Sequence, residues 1–389
     1  MSGMADLAGI GRDTRRGGYS RHGFDRAEHE MRSWFFEQST LHGLDVYTDR
    51  NGNMWAWWGR PGPDAVVTGS HLDSVPGGGA FDGPLGVTSA LDAVAALRAK
   101  GFQPGRPLAV VVFAEEEGGR FGVPCLGSRL LTGAIDPDRA RNLTDPDGIT
   151  LAEAARAAGI DPAHLGPDPI LDNIGCFVEL HVEQGRTLGD RPIGIASSIL
   201  AHGRWRFTVT GEGNHAGTTE VADRHDPMLP AATAVLAARQ AIAGTSSRAT
   251  IGRLVPNPGG TNVIASSVDF WLDARGDDAR PVVEAVTSAV GAAADAEGCV
   301  LTVREESYGD AVRFDAALRD RIQGLLAGVP AIPTGAGHDA GILAARIPTA
   351  LLFVRNPTGI SHAPAEHAEP ADCAAGTQAL ADVLEELCR

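Results

Sequence analysis

Histidine and carboxylate side chains gather in one glycine-rich stretch of the chain, GSHLDSVPGGGAFDG, which runs from Gly69 to Gly83. It contains His71, Asp73 and Asp82 and directly follows an apolar run that begins at Ala65. Imidazole and carboxylate together are suitable ligands for divalent zinc, manganese or cobalt. A loop after a strand is where a rigid sheet can present such ligands to a substrate. The stretch therefore predicts a metal site, although a polar surface turn could have the same composition.

Three further segments place similar side chains at or near the ends of apolar runs. The run from Leu108 to Phe113 is followed by the carboxylates Glu115, Glu116 and Glu117. Because adjacent carboxylates repel one another, a cation is expected nearby. The segment FVELHVEQG contains His181, and GISHAPAEHAE contains His362. A single histidine in a turn is usually a surface residue, but four matching segments favour one metal site at the edge of a sheet.

In this order, the four segments resemble the peptidase M20 family of dinuclear metallohydrolases. Within that family the chain is similar to the amidohydrolase branch, which contains N-carbamoyl-L-amino acid hydrolases, allantoate amidohydrolases and β-ureidopropionases. The resemblance extends from about Tyr19 to the end of the chain and includes the motifs AEEEGGRF, NHAGTT, GTNVI and GAGHDA. It implies two divalent metal ions. Zinc, manganese, cobalt or nickel would suit the histidine and carboxylate ligands.

The resemblance assigns a metal-binding role to five residues. His71 and His181 would bind one ion. Glu117 and His362 would bind the second ion. Asp82 would bridge the two ions.

The same resemblance assigns catalytic and substrate-binding roles. Glu116 would be the general base, and Asp73 would orient His71 through its carboxylate, as carboxylates beside metal-binding histidines commonly do. His215 of the NHAGTT motif would donate a hydrogen bond to the oxyanion formed during hydrolysis. The residues implied to contact the substrate are Gln184 at the ureido group, Asn262 and Arg275 at the carboxylate, and His338 in the pocket wall.

The physical chemistry of arginine agrees with one of these assignments. The guanidinium of Arg275 can form a bidentate, charge-assisted contact with a carboxylate, and Asn262 would add neutral donors. The alternative is that Arg275 is a solvated charge at the end of a strand.

The hydrophobic pattern predicts an α/β fold with two domains. Strand-like runs at Ala65–Gly69 and Leu108–Phe113 flank a helical pattern at Val87–Lys100, which indicates a sheet covered by helices. From about residue 201 the order becomes β-α-β-β-α-β, which is typical of a ferredoxin-like domain. We therefore expect a mixed-sheet metallohydrolase catalytic domain formed by residues 1–200 and 313–389. Residues 201–312 would form an inserted ferredoxin-like lid and dimerisation domain.

Composition excludes several classes of protein. The 389 residues suffice for two domains, and the formal net charge of −16 argues against a nucleic-acid partner. The sequence has no long apolar run that predicts a membrane span and no apolar signal core at its start. Five cysteines without paired spacing are typical of reduced thiols. We therefore expect a cytoplasmic protein with no membrane partner.

Together these features predict an enzyme that hydrolyses the carbamoyl C–N bond of N-carbamoyl-L-amino acids to amino acid, carbon dioxide and ammonia. An allantoate amidohydrolase is the first alternative, and an M20 aminopeptidase or aminoacylase is a more distant one. A binding module with a vestigial metal site would lack a ligand or the base, and no such residue is missing from the sequence. The resemblance also implies a homodimer, and it leaves open which subunit would contribute His215, Asn262 and Arg275 to a given site.

Overall fold

The computed structural model describes residues 2–389, and within them the chain forms two compact units. The larger unit runs to Ser198 and resumes at Arg313, and the inserted unit is Ile199–Val312. The strands are β1 Asp45–Thr48, β2 Met54–Trp58, β3 Ala65–His71, β4 Leu108–Phe113, β5 Ile174–Val182, β6 Ile193–Ile199, β7 Ala201–Thr210, β8 Asn214–His215, β9 Arg248–Asn257, β10 Val263–Ile264, β11 Ser267–Gly276, β12 Val300–Gly309, β13 Val312–Arg313, β14 Ala331–Thr334 and β15 Thr349–Val354.

The α-helices are α1 Ser2–Leu7, α2 Arg26–Leu41, α3 Pro84–Ala99, α4 Leu126–Thr132, α5 Pro137–Arg141, α6 Leu151–Ala157, α7 Met228–Ala241, α8 Arg280–Ala296, α9 Ala316–Leu325, α10 Asp339–Leu343 and α11 Pro370–Leu387. Among the described residues, no helix combines the length and the apolar character that crossing a membrane requires. The cysteines Cys125, Cys176, Cys299, Cys373 and Cys388 are all buried and free.

A large mixed sheet forms the centre of the larger unit, so the expected α/β fold with a mixed sheet is confirmed. Its strand order is β1-β2-β4-β3-β5-β15-β6-β13, and β14 pairs with β6. The four neighbours β4, β3, β5 and β15 are parallel, whereas the pairs β1–β2, β2–β4 and β15–β6 are antiparallel.

The parallel strands are buried because helices cover the sheet. Every residue of β3, β4 and β15 is buried, as the continuous apolar runs predict for strands enclosed on both faces. Helices α3 and α11 pack against each other and against the sheet, and their apolar side chains join one core cluster with those of β3, β4, β5 and β15. Since the carboxyl ends of parallel neighbours meet at one edge, the residues that follow these strands lie together there.

The inserted unit is an antiparallel sheet with two helices. Its strand order is β12-β7-β11-β9, and the chain visits these elements as β7, α7, β9, β11, α8 and β12. Alternate residues of β7 and β11 are buried, so one face of the sheet packs against the helices. Phe207 and Phe270 stack at 5.0 Å in that core.

Two glycines in helices give a matched test of how closely α3 packs against β5. A Cβ on Gly86 in α3 would lie 2.2 Å from the backbone oxygen of Leu180, whereas a Cβ on Gly291 in α8 would have no atom within 4 Å. We expect Gly86→Ala to lower the free energy of unfolding by about 1–3 kcal/mol because the helix is forced away from β5. Gly291→Ala should raise it by about 0.5–1 kcal/mol through helix propensity. Urea unfolding followed by circular dichroism measures both, and a Gly86→Ala protein as stable as the wild type would contradict the packing described.

Candidate metal centre

The end of β3 and the loop that follows it carry the first two candidate ligands. His71 is the last residue of β3, and Asp82 lies just before α3; both are almost completely buried. Gly83 between Asp82 and the helix has φ +84°, and a Cβ there would lie 2.5 Å from the His71 ring. The glycine therefore permits both the turn and the close approach of the backbone to the imidazole.

One Asp82 carboxylate oxygen faces two histidines. Asp82 Oδ1 lies 3.5 Å from His71 Nε2 and 3.2 Å from His181 Nε2. The other ring nitrogens are held by backbone oxygens: His71 Nδ1 is 3.0 Å from the Asp73 carbonyl, and His181 Nδ1 is 2.9 Å from the Val182 carbonyl. When each Nδ1 donates to its carbonyl, each Nε2 presents a lone pair toward Asp82, which is the tautomer that binds a metal ion.

The second Asp82 oxygen faces a different pair of side chains. Asp82 Oδ2 lies 3.5 Å from His362 Nε2, which in turn is 3.3 Å from Glu117 Oε2. The Gln184 amide donates to Asp82 Oδ2 at 2.8 Å and is 3.2 Å from His362 Nε2. Gln184 therefore contacts the second group of candidate ligands.

These groups fit divalent cations. Candidate ligand atoms lie within 4.8 Å of one another in the group His71, Asp82 and His181 and in the group Asp82, Glu117 and His362. His71 Nε2, His181 Nε2 and Glu117 Oε1 are buried and have no hydrogen-bond partner within the described residues. Buried polar atoms normally have partners, and a cation bound by these nitrogen and oxygen atoms would supply them.

The pKa values of the buried residues also favour a bound cation. Burial raises the pKa of Glu116 to about 7, and burial together with Asp82 and Glu116 holds the pKa of Glu117 well above its ordinary value. Burial alone would lower the pKa of His181, but Asp82 raises it to about 9. Without a cation, Glu116, Glu117 and His181 are thus protonated more readily than they are in water. A bound divalent ion would favour deprotonated carboxylates and neutral imidazoles, because those are the forms that coordinate it.

Asp73 contacts His71 differently from the sequence expectation. Its carboxylate oxygen is 3.6 Å from His71 Nδ1, too far for a hydrogen bond, whereas its backbone carbonyl is at 3.0 Å. The carboxylate instead accepts the backbone N–H groups of Glu116 at 3.1 Å and Glu117 at 3.0 Å. Asp73 thereby links the loop after β3 to the carboxylate turn after β4.

The turn after β4 directs Glu116 toward the histidines. Glu115 has φ +53° and its carboxylate accepts backbone N–H groups of Gly23, Arg120 and Phe121, which holds the turn. The thiol of Cys125 donates to Glu116 Oε1 at 3.2 Å. Glu116 Oε2 lies 3.7 Å from His71 Nε2, so this oxygen is directed toward the candidate metal ligands.

His338 lies behind the candidate ligands and is only 2% exposed. Its ring is 4.5 Å from that of His181, and Glu179, His181 and His338 form a third group of closely placed ligand atoms. Glu179 accepts the Ser70 hydroxyl at 2.8 Å and the Ala340 N–H at 3.0 Å. Glu179 was not predicted as a site residue, although it lies in the segment FVELHVEQG together with His181. Its spacing of two residues along a strand already placed it on the same face as His181.

Cys125 and Glu366 were not predicted as site residues from the sequence, although Glu366 lies in the segment GISHAPAEHAE that contains His362. Glu366 follows His362 by four residues, and its carboxylate accepts the backbone N–H of Asp82 at 3.0 Å. No periodicity or spacing predicts such a contact, because the two residues are 284 positions apart.

The remaining three expected site residues lie in the inserted unit. His215 in β8 pairs with Val263 in β10, and the backbone oxygen of Asn262 accepts the Ala216 N–H at 3.0 Å, so His215 and Asn262 lie in neighbouring segments. Arg275 lies in β11 and pairs with Asp273 at 2.9 Å.

Comparison with known proteins agrees with these observations. Residues 67–386 match the family described as peptidase family M20/M25/M40. The N-carbamoyl-L-amino acid amidohydrolase of Geobacillus stearothermophilus is 34% identical over 99% of this chain and 97% of the relative. The allantoate amidohydrolase of Escherichia coli K12 is 32% identical over 92% of this chain and 90% of the relative.

A solved structure shows the same fold. The crystal structure of an amidase of the hydantoinase/carbamoylase family from Burkholderia multivorans superposes with a TM-score of 0.88 at 30% identity, covering 100% of this chain and 96% of that one. The resemblance of the sequence to the amidohydrolase branch is confirmed by these relatives. From the match over most of its length, we conclude that the chain belongs to peptidase family M20/M25/M40.

Proposed function

We propose that this chain is a dinuclear-metal amidohydrolase that cleaves the carbamoyl C–N bond of N-carbamoyl-L-amino acids, releasing the amino acid, carbon dioxide and ammonia. The observation that carries the proposal is the position of Asp82, whose two oxygens face two separate groups of candidate ligand atoms. The nature of the relatives supports the reaction, since the Geobacillus protein is an N-carbamoyl-L-amino acid amidohydrolase.

Two alternatives use the same candidate metal centre. The similarity to the Escherichia coli allantoate amidohydrolase favours allantoate as the first alternative substrate. An aminopeptidase or aminoacylase activity is a more distant alternative, and it rests on the peptidase family as a whole.

His71 and His181 would hold one ion, Glu117 and His362 the other, and Asp82 would bridge them. Zinc, manganese, cobalt and nickel all suit these ligands. Bound there, the two ions would make water a nucleophile near neutral pH and polarise the scissile carbonyl.

Glu116 would act as the general base. Since the Cys125 thiol donates to its Oε1, Oε2 remains to take a proton from the attacking water. Glu116 would then give that proton to the leaving nitrogen as the C–N bond breaks. Asp73 would support this step by holding the backbone N–H of Glu116, which fixes the direction of the side chain.

The other residues implied by the family resemblance would recognise the substrate. Gln184 and His338 would lie toward the ureido group, Asn262 and Arg275 would bind the carboxylate, and His215 would donate to the oxyanion. We propose that residues 1–200 and 313–389 form the catalytic domain. Residues 201–312 would form a ferredoxin-like lid and dimerisation domain, so that the working enzyme would be a homodimer. Its location would be cytoplasmic.

Ammonia release from a substrate panel tests the reaction. The panel contains N-carbamoyl-L-amino acids of several side-chain sizes, the carboxamide of the best of these, allantoate, N-carbamoyl-β-alanine, an N-acetyl amino acid and a dipeptide. Because Arg275 would bind a carboxylate, we expect turnover of N-carbamoyl-L-amino acids, much weaker turnover of the carboxamide, and loss of activity with a chelator. Free amine is measured for the last two compounds, and turnover of those alone would refute the proposed reaction.

Replacing the general base should separate chemistry from metal binding. Glu116→Gln keeps the size of the side chain but cannot accept the proton, so we expect kcat to fall by about 10²–10⁴-fold. Metal content should stay unchanged because Glu116 is not one of the proposed ligands. Steady-state kinetics and elemental analysis on the same preparation measure both, and near-normal turnover would show that another residue is the base.

A variant that lacks the proposed bridging ligand should bind less metal than a variant that lacks a ligand of only one ion. We expect His362→Ala to retain about one ion per chain and Asp82→Ala to retain fewer, because only Asp82 contacts both groups. Elemental analysis after dialysis at a fixed free zinc concentration measures the difference. Equal loss in the two variants would argue against the bridging role.

A further inference from the structure

Glu366 is a buried carboxylate in the loop between His362 and α11. It is 5% exposed, and within the described part of the chain it makes no ion pair with lysine or arginine. A buried carboxylate is costly unless other groups satisfy it, so the partners of Glu366 indicate what it does.

Its first oxygen holds the segment that carries the bridging aspartate. Glu366 Oε1 accepts the backbone N–H of Phe81 at 2.9 Å and that of Asp82 at 3.0 Å. The two segments are in close contact, since a Cβ on Gly79 would lie 2.3 Å from Glu366 Oε1. Any side chain at Gly79 would thus push the two segments apart.

Its second oxygen faces the turn that carries His362. The Ser361 hydroxyl is 3.4 Å from Glu366 Oε2 and 3.2 Å from Asp82 Oδ2, so its proton can go to either carboxylate. His362 itself has φ +55°, an unfavourable backbone conformation for a residue with a side chain. Contacts from the surroundings are needed to hold such a turn.

We propose that Glu366 is a positioning residue that fixes Asp82 and His362 relative to each other, so that the Asp82–Glu117–His362 group is formed before a metal ion arrives. The group draws its members from distant parts of the chain. Glu366 accepts two backbone N–H groups of the Asp82 segment, and the Ser361 hydroxyl of the His362 turn lies within reach of its second oxygen. This inference rests on the proposed two-ion centre and adds to it the residue that assembles the second ion's ligands.

The proposal is tested by zinc binding to the full chain. Equilibrium dialysis against increasing free zinc, with elemental analysis, gives the concentration at which the first and second ions bind. We expect Glu366→Ala to raise the free zinc needed for the second ion by about 10–100-fold, the usual cost of removing a group that orients metal ligands. The first ion should be affected less, because two of its three proposed ligands, His71 and His181, lie outside the segments that Glu366 contacts.

Glu366→Gln is the conservative rescue. Its amide oxygen can still accept the two backbone N–H groups, and its amide nitrogen can donate to Ser361, which then donates to Asp82. Binding of the second ion should therefore return close to the wild-type concentration. Glu369→Ala is the matched control, since Glu369 is exposed in the same loop and pairs only with His367 among the ion pairs of residues 2–389.

If the Glu366→Ala protein does not fold, Ser361→Ala still tests the proposal, because it removes only the link to the His362 turn. Ser361→Ala should weaken binding of the second ion measurably, but less than Glu366→Ala does. Unchanged zinc binding in both alanine variants, or a Glu366→Gln protein as impaired as Glu366→Ala, would overturn the proposal. A wild-type chain that binds fewer than two ions would instead overturn the proposed two-ion centre, so the two failures are distinguishable.

Discussion

The sharing of Asp82 between two groups of ligands is the constraint on which the rest of the site depends. One carboxylate can face both groups only if the loop after β3, the end of β5 and the His362 turn converge within a few ångströms. The parallel strands β3 and β5 bring two of these together at one sheet edge. The third, the His362 turn, belongs to the C-terminal segment. No strand pairing fixes its position, so hydrogen bonds to side chains must fix it.

Buried carboxylates outside the proposed ligand set supply much of that support. Asp73 accepts N–H groups of the turn that carries Glu116, Glu115 holds the same turn to the N-terminal segment, and Glu366 holds Asp82. Each joins backbone segments that lie outside the strands. Backbone N–H donors offset the free-energy cost of burying these carboxylates. The same hydrogen bonds hold the turns in the geometry that the ligands need.

The sequence allowed the central strands and the candidate ligands to be predicted, because both depend on local patterns. The strand at Leu108–Phe113 was located to the residue, and the helix expected at Val87–Lys100 was found as α3, Pro84–Ala99. Other features depend on distant partners and could not be read locally. The hydrogen bonds from the Glu116 and Glu117 backbone to the Asp73 carboxylate, the buried place of His338 beside His181, and the contact of Glu366 with Asp82 are all set by tertiary packing.

Anomalous diffraction at the zinc edge, from crystals of the zinc-loaded protein, tests the central claim most directly. We expect two peaks per chain, one among His71, His181 and Asp82 and the other among Asp82, Glu117 and His362, with an Asp82 oxygen on each. A single peak, or a peak among Glu179, His181 and His338 in place of either, would contradict it.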